Sequence, residues 1–441
     1  MTDLSCFSRL AAALVLGTAA ITPAAAQRLS TAETAMTRTV DADYDRSVAL
    51  LETLVNQNSG TLNLAGVTKI GERMRVELEP LGFTVTWKPM DAVQRAGHLI
   101  AIHRGKPGTK RLLLIGHLDT VFEPNSPFQK FVRKGDLAEG PGAGDDKGGM
   151  VVMLAALRAM QTAGTLKAAN IEVVLTGDEE KSGSPHSIAR ADLIAAGKRA
   201  DVALDFEGLV IDGGHDMGSI ARRSAIDWRI TATGKTGHSS LIFGSEFGDG
   251  AINELTRILA AFRKELPEPN LTFNTGVIAG GARATIDESG NATAAGKTNI
   301  IPATAIAVGD FRTLSPEQTA RVKARMEAIV AAHAPGTDAT ISFGEGYPAM
   351  APTKGNRALL AALNGVNRDL GLPEMPALDP LKRGAGDISF VAADVDSLAG
   401  LGTYSTGDHA PGETVDLASI RRQAKRAAIL MSRLSVERSA R

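Results

Sequence analysis

The stretch IEVVLTGDEEKSGSP occupies residues 171–185. It begins as a run of mostly apolar, β-prone residues of the kind found in a buried strand. Asp178, Glu179 and Glu180 follow within two residues of the end of that run. Adjacent carboxylates repel one another and resist burial unless positive charge is brought to them. The stretch therefore predicts a buried sheet with a cation-dependent site at its edge.

Neighbouring segments extend the pattern. TVTWKPM (84–90), HLIAIHRG (98–105), RLLLIGHLDTV (111–121) and ADVALDFEG (200–208) read as strands. VALLETLVNQNSG (48–60), GERMRVELEPLGF (71–83) and GGMVVMLAALRAM (148–160) have helical spacing. Strands alternating with helices predict an α/β fold, a sheet covered by helices on both faces. Apolar strands that end in charged residues predict a site along one edge of that sheet.

From about Arg222 the pattern changes. SAIDWRITATGKTGH (224–238), LTFNTGVIAGG (271–281), TAIAVGDFRT (304–313) and DATISFGEG (338–346) read as strands, and a helix covers roughly residues 249–266. Residues 315–333 read as a second helix, with Ser315 as cap and Pro316 at the first helical position. We read residues 27–221 and 345–441 as one discontinuous catalytic domain, and residues 222–344 as a small inserted α+β domain.

Composition narrows the function. The 441 residues carry a net charge of −1 and only 4% aromatic side chains, which argues against nucleic acid as a partner. Residues 1–26 contain Arg9, an apolar run over 10–21, Pro23 and three alanines. This is the layout of a secretory signal peptide cut near Ala26–Gln27. About a dozen apolar residues are too few to span a bilayer, so the expectation is a periplasmic or secreted chain with no membrane segment in its mature form. Cys6, the one cysteine, lies inside that leader. Any metal in the mature protein must use His, Asp and Glu.

Five segments offer such groups. His117 and Asp119 flank Leu118 at the end of a strand, so they share a face, and Asp119 can fix the His117 tautomer for metal binding. Asp145 and Asp146 sit in the glycine-rich loop GPGAGDDKGG (140–149). The acid triplet, Asp205 with Glu207, and His409 in TGDHAPGE (406–413) complete the set. Two histidines with several carboxylates suit Zn2+ or a similar divalent ion. Neighbours on a strand point opposite ways, so if the strand ends in a turn, Glu179 and Glu180 divide into one base and one ligand, with Asp178 supporting the turn.

Taken in order, GHLDTV, GPGAGDDKGG, TGDEEKSGS, DFEG, GKTGHSS, NIIPA and GDHAPGETVDL resemble the dizinc aminoacylase and carboxypeptidase family that includes bacterial glutamate carboxypeptidase. The resemblance runs from about Val48 to the last helix. It implies a zinc-exopeptidase-like catalytic domain of mixed sheet and helices, with a ferredoxin-like insert serving as lid and dimerisation domain. It further implies two Zn2+ per chain, or other divalent ions. His117 and Glu207 would hold one, Glu180 and His409 the other, and Asp145 would bridge them. Glu179 would be the general acid/base, and Asp119 would orient His117. His238 would reach an active site, often the partner subunit's, to stabilise the oxyanion, while Asn299 and Arg312 would hold the substrate's carboxylate or carbonyl. Gly384 opens GAGD (384–387), which resembles a substrate loop in which a threonine often precedes the aspartate; here that position is Gly386.

The resulting expectation is an exported, metal-dependent exopeptidase that releases a C-terminal amino acid from peptides or N-acyl amino acids, working as a homodimer. Arg222, Arg223, Lys382 and Arg383, together with the resemblance, point to acidic C-terminal residues. An N-acyl-amino-acid deacylase and a di- or tripeptidase are the alternatives, the latter kept open by Asp205. A non-catalytic peptide binder is disfavoured because every expected base and ligand position is filled. There is no G-x-S-x-G elbow, and the 140–149 loop puts acids where a phosphate-binding loop needs free backbone.

Overall fold

The computed structural model describes residues 29–439. The leader expected over residues 1–26, with Cys6 and the Ala26–Gln27 junction, lies outside the described residues.

The opening stretch forms strand Asn170–Thr176, and the chain leaves the sheet before the three acids. This strand is third in a six-stranded sheet ordered Thr84–Met90, Arg95–His103, Asn170–Thr176, Arg111–His117, Val202–Asp205, Ser397–Leu398. The first two junctions are antiparallel and the last three parallel, so the sheet is mixed.

Alternation along the strands explains the apolar runs. Leu112, Leu114, Val173 and Leu175 pack into one core with helices Lys147–Thr162 and Leu417–Leu434. Leu113, Ile115 and Val174 pack into a second core on the other face, with helix Ala191–Arg199. Burial on both faces removes the apolar–polar alternation of a one-sided strand. Each such aliphatic side chain contributes about 1.5–3 kcal/mol, whereas a charge at the fully buried Leu114 would be desolvated without a partner and break the layer. Helix Lys147–Thr162 is buried from Lys147 to Met160, and apart from Lys147 and Arg158 that span is accordingly made of apolar residues and glycine.

The parallel strands bring their carboxyl ends to one edge. His117 pairs with Thr176, and Ile115 with Asp205. The acid- and histidine-bearing loops therefore leave the sheet side by side, where ligand sites of open α/β sheets form.

The second sheet draws its strands from residues 226–343, in the order Thr272–Gly281, Thr304–Arg312, Ile226–Gly234, Thr337–Phe343, all antiparallel. Helices Gly250–Glu265 and Pro316–Ala331 share a core with it that includes Trp228, Ile230, Phe262, Phe311 and Met326. This strand–helix–strand–strand–helix–strand order makes the unit ferredoxin-like. The Ser315 hydroxyl accepts from the Gln318 N–H at 3.1 Å, the cap expected from sequence. A hairpin, Arg283–Ile286 with Ala292–Ala295, is an addition that the sequence reading missed; its Ala284 and Ile286 pack on Ala279 and Ile306. Its signal was Asp287, whose carboxylate accepts from the backbone of Ser289 and Asn291 and closes the turn.

Two antiparallel bridges, Arg222–Met350 and Ala225–Tyr347, carry the chain into and out of this unit. Among the described residues, no helix is long and apolar enough to cross a membrane.

Candidate metal centre

Asp145 is the hub of the site. One of its carboxylate oxygens lies 2.9 Å from His117 Nε2, and the other 3.1 Å from His409 Nε2. His409 Nε2 also lies 3.2 Å from Glu180 Oε2. Ligand atoms of His117, Asp145 and Glu180 all fall within 4.8 Å of one another. Residues up to 292 positions apart are thus gathered at the sheet edge, with Asp145 between the two histidines as a bridging carboxylate must be.

Asp119 connects this hub to the acid triplet. Its Oδ1 lies 3.3 Å from His117 Nδ1, and the same ring nitrogen lies 3.1 Å from the Asp119 carbonyl oxygen. Its carboxylate also accepts the backbone N–H groups of Glu179 (3.0 Å) and Glu180 (3.1 Å) and the Thr61 hydroxyl (2.6 Å). One buried acid therefore orients a histidine and fixes the turn that separates Glu179 from Glu180.

Two further acids brace this centre: Glu413, which was not singled out from sequence, and Asp146, noted there only as Asp145's neighbour in the glycine-rich loop. Glu413 accepts from the backbone N–H of Gly144 (2.7 Å), Asp145 (3.1 Å) and Gly142 (3.1 Å). Asp146 is fully buried and accepts from the His117 N–H at 3.2 Å. A Cβ at Gly116 would lie 2.6 Å from its carboxylate, so glycine is required for this approach. The G in IGH was the available signal.

Charge at the centre is strongly perturbed. Burial works against the His117 imidazolium, but hydrogen bonds to Asp119 and Asp145 raise its pKa well above the ordinary value. Hydrogen bonds to Asp145 and Glu180 push His409 up to about 11. Burial pushes Glu180 up to about 7 and, together with the charge of Glu207, raises Glu179 well above the ordinary carboxylate range. Glu180 Oε1 is buried with no hydrogen-bond partner. Histidines and carboxylates only, a carboxylate shared between two histidines, and an orphaned acid oxygen aimed among them fit a pair of divalent cations.

Glu207 does not join that tight group. Its Oε2 is paired with Arg222 and lies 3.3 Å from Arg383 Nη2. These guanidiniums supply the positive charge that this carboxylate needs after burial. Arg222 also reaches Asp205 at 3.2 Å and the carbonyls of Gly384 (2.9 Å) and Ala385. A Cβ at Gly386 would strike Arg222 and Glu207. The guanidinium therefore takes the space of the threonine that the sequence comparison expected there. Arg312 pairs with Asp310 at 3.1 Å, and its Nη1 would lie 3.6 Å from a Cβ at Gly384, which places it at the same loop across the domain boundary.

His238 and Asn299 stay in the insert. His238 is exposed, its Nδ1 lies 2.8 Å from Ser240 Oγ, and it bridges to Ile300, while the Asn299 carbonyl accepts from Ser239 at 3.0 Å.

Asp178 turns away from the centre into an ion network. Arg190, fully buried, binds Asp178 Oδ1 at 2.6 Å and Asp387 Oδ1 at 2.8 Å, and its Nη2 donates to the Tyr347 hydroxyl at 3.0 Å. Arg190 and Tyr347 carried no sequence signal beyond their residue types, since their partners lie up to 197 positions away.

Similarity to known proteins agrees with this geometry. The chain is 30% identical over 397 residues to carboxypeptidase G2 of Pseudomonas sp. (strain RS-16), covering 87% of this chain and 88% of that protein. It is 26% identical over 395 residues to succinyl-diaminopimelate desuccinylase of Variovorax paradoxus (strain S110), covering 85% and 94%. Its fold matches a dinuclear metal binding peptidase of the M20 family from Bacillus subtilis with a TM-score of 0.62 at 16% identity, over 90% of this chain and 99% of that one. The pattern of peptidase family M20/M25/M40 matches residues 113–433, and with a 30% identical relative aligned over most of its length, the chain belongs to that family of metallopeptidases.

Proposed function

We propose that this metallohydrolase is an exported exopeptidase that cleaves the amide bond before a C-terminal amino acid, preferring acidic residues, in peptides or N-acyl amino acids. One observation carries the reading: Arg312, partly exposed, and Arg383 stand at the 384–387 loop, whose carbonyls Arg222 holds in place. A guanidinium binds a carboxylate through two parallel hydrogen bonds, and more than one such group suits a substrate end with more than one carboxylate. Arg223 and Arg383 each keep a buried Nε without a partner.

The residues divide the work as follows. His117 and Asp145 would hold one divalent ion, which Glu207 would join only on leaving Arg222 and Arg383, and Asp145, Glu180 and His409 would hold the other. When bound, such a pair supplies Lewis acidity that polarises a carbonyl and lowers the pKa of water. The Glu179 carboxylate accepts a proton from water as its oxygen adds to the scissile carbonyl carbon. Glu179 then returns that proton to the amide nitrogen as the C–N bond breaks, leaving a carboxylic acid and a free amine. His238 and Asn299, exposed at the edge of the insert, would serve the partner's site in a homodimer formed through that domain.

The desuccinylase similarity favours a second reading, removal of an N-acyl group from an amino acid. Product analysis on peptides and N-acyl amino acids with acidic or neutral C-termini, with zinc and with chelator, tests both. We expect zinc-dependent release of C-terminal Glu or Asp, and Glu179→Ala should lower kcat roughly 10²–10⁴-fold. Equal turnover of neutral C-termini would remove the acidic preference, and full activity of Glu179→Ala would remove the mechanism. Export is tested by fractionating the producing cell and sequencing the N-terminus, expected near Gln27.

A further inference from the structure

We propose that Tyr347 is a positioning residue that ties the hinge of the inserted domain to the base. Tyr347 lies on the segment that leaves the insert after strand Thr337–Phe343, and its backbone exchanges hydrogen bonds with Ala225, just before strand Ile226–Gly234, at 2.9 and 3.1 Å. Its side chain points into the catalytic domain, where the hydroxyl donates to the Glu179 carbonyl oxygen at 2.6 Å. The donor is dictated by chemistry. Arginine has no acceptor, so the phenol oxygen accepts from Arg190 and its hydrogen is left for Glu179.

The peptide unit between Glu179 and Glu180 is thereby held at both ends. Its carbonyl is bound by Tyr347, and its N–H by Asp119 Oδ2 at 3.1 Å. Because a peptide unit is planar and rigid, these two bonds fix the direction in which each glutamate leaves the chain. Glu345 adds a second link from the same segment, accepting from the Ser184 hydroxyl at 2.9 Å and the His186 N–H at 3.1 Å. A cleft of about 610 Å³ lined by Tyr347, His186, Phe390 and, from the insert, Thr319 and Lys323 lies beside this joint and leaves it room to move. A swing of the insert would therefore be passed to the peptide that carries the base.

The inference rests on Glu179 being that base, so Glu179→Ala is measured alongside. Tyr347→Phe keeps the ring against Phe390, 5.0 Å between centroids, and removes only the hydroxyl. In the zinc-loaded enzyme we expect kcat to fall roughly 10- to 100-fold, the scale of a small misplacement of a reacting group, with KM within about twofold and zinc content unchanged. Independently of turnover, amide hydrogen exchange over residues 177–183 should be faster in Tyr347→Phe than in the parent. Unchanged kcat in Tyr347→Phe, or a loss accompanied by lost zinc or raised KM, overturns the coupling while an inactive Glu179→Ala leaves the base assignment standing. A fully active Glu179→Ala overturns both.

Discussion

Replacing Arg190 with methionine should destabilise the fold by about 3–5 kcal/mol at pH 7, the range for removing one partner of a buried ion pair. The side chain is fully buried between two acids, 2.6 Å from Asp178 and 2.8 Å from Asp387, neither more than 2% exposed. Methionine fills similar length but leaves both carboxylates without their cation. Each keeps another donor, the Gly183 N–H for Asp178 and the Thr176 hydroxyl for Asp387, which prevents a larger loss. An acid in that position can also shed its charge by taking up a proton, at about 1.4 kcal/mol for each pH unit above its ordinary pKa near 4. The folded variant then binds more protons than the unfolded chain, so its deficit grows as pH rises and should shrink at pH 5. Urea denaturation of the metal-free protein at both pH values, followed by circular dichroism, measures this. A loss below about 1 kcal/mol at pH 7, or one equal at both pH values, would show that the network does not carry the charge balance argued here.

The bridging role of Asp145 distinguishes two variants. Asp145→Asn should weaken zinc binding at both positions, whereas His409→Ala should weaken one, each by more than the roughly 10–100-fold typical of a lost supporting partner; equilibrium dialysis giving the same stoichiometry for both would contradict the bridge. Burial pushes Lys147 down to about 7, and its ammonium donates to the Gln57 carbonyl at 3.1 Å. Between pH 7 and about 10 the unfolded chain then binds the extra proton, so this group makes stability rise with pH, by an amount on the order of a few kcal/mol. Lys147→Met should flatten that rise in urea titrations, and an unchanged slope would refute it.

Much of this architecture was legible in the sequence because local patterns and burial agree. Strands 111–117 and 170–176 are apolar because both faces are covered, and helix Pro316–Ala331 begins at the Ser315 cap read from sequence. What stayed illegible depends on distant partners. Arg190 reads as a surface cation until Asp178 and Asp387 are brought to it. Glu413 reads as a loop acid until its carboxylate is seen holding the Asp145 loop through backbone N–H groups. Arg222 was noted for substrate charge, but its place against Glu207 depends on Gly386, a residue whose lack of a side chain signals nothing by itself. Hairpin 283–295 was missed because its strands are only four residues each and mostly exposed.

The acid triplet is where these distant partners matter most. Asp178 meets a fixed cation, Arg190, in a fully buried pair. Glu180 meets His409, which also faces Asp145, and a positive charge between these acids can come from a proton or a metal ion. Among the described residues, the Glu179 carboxylate has no hydrogen-bond partner, and burial beside Glu207 makes its charged form costly to keep. A proton shuttle must be free to gain and lose its proton, and a group locked to arginine or committed to a metal is not. The order of the three residues is therefore not interchangeable: the turn held by Asp119 and Tyr347 sends only the middle acid into an environment where protonation is the available relief.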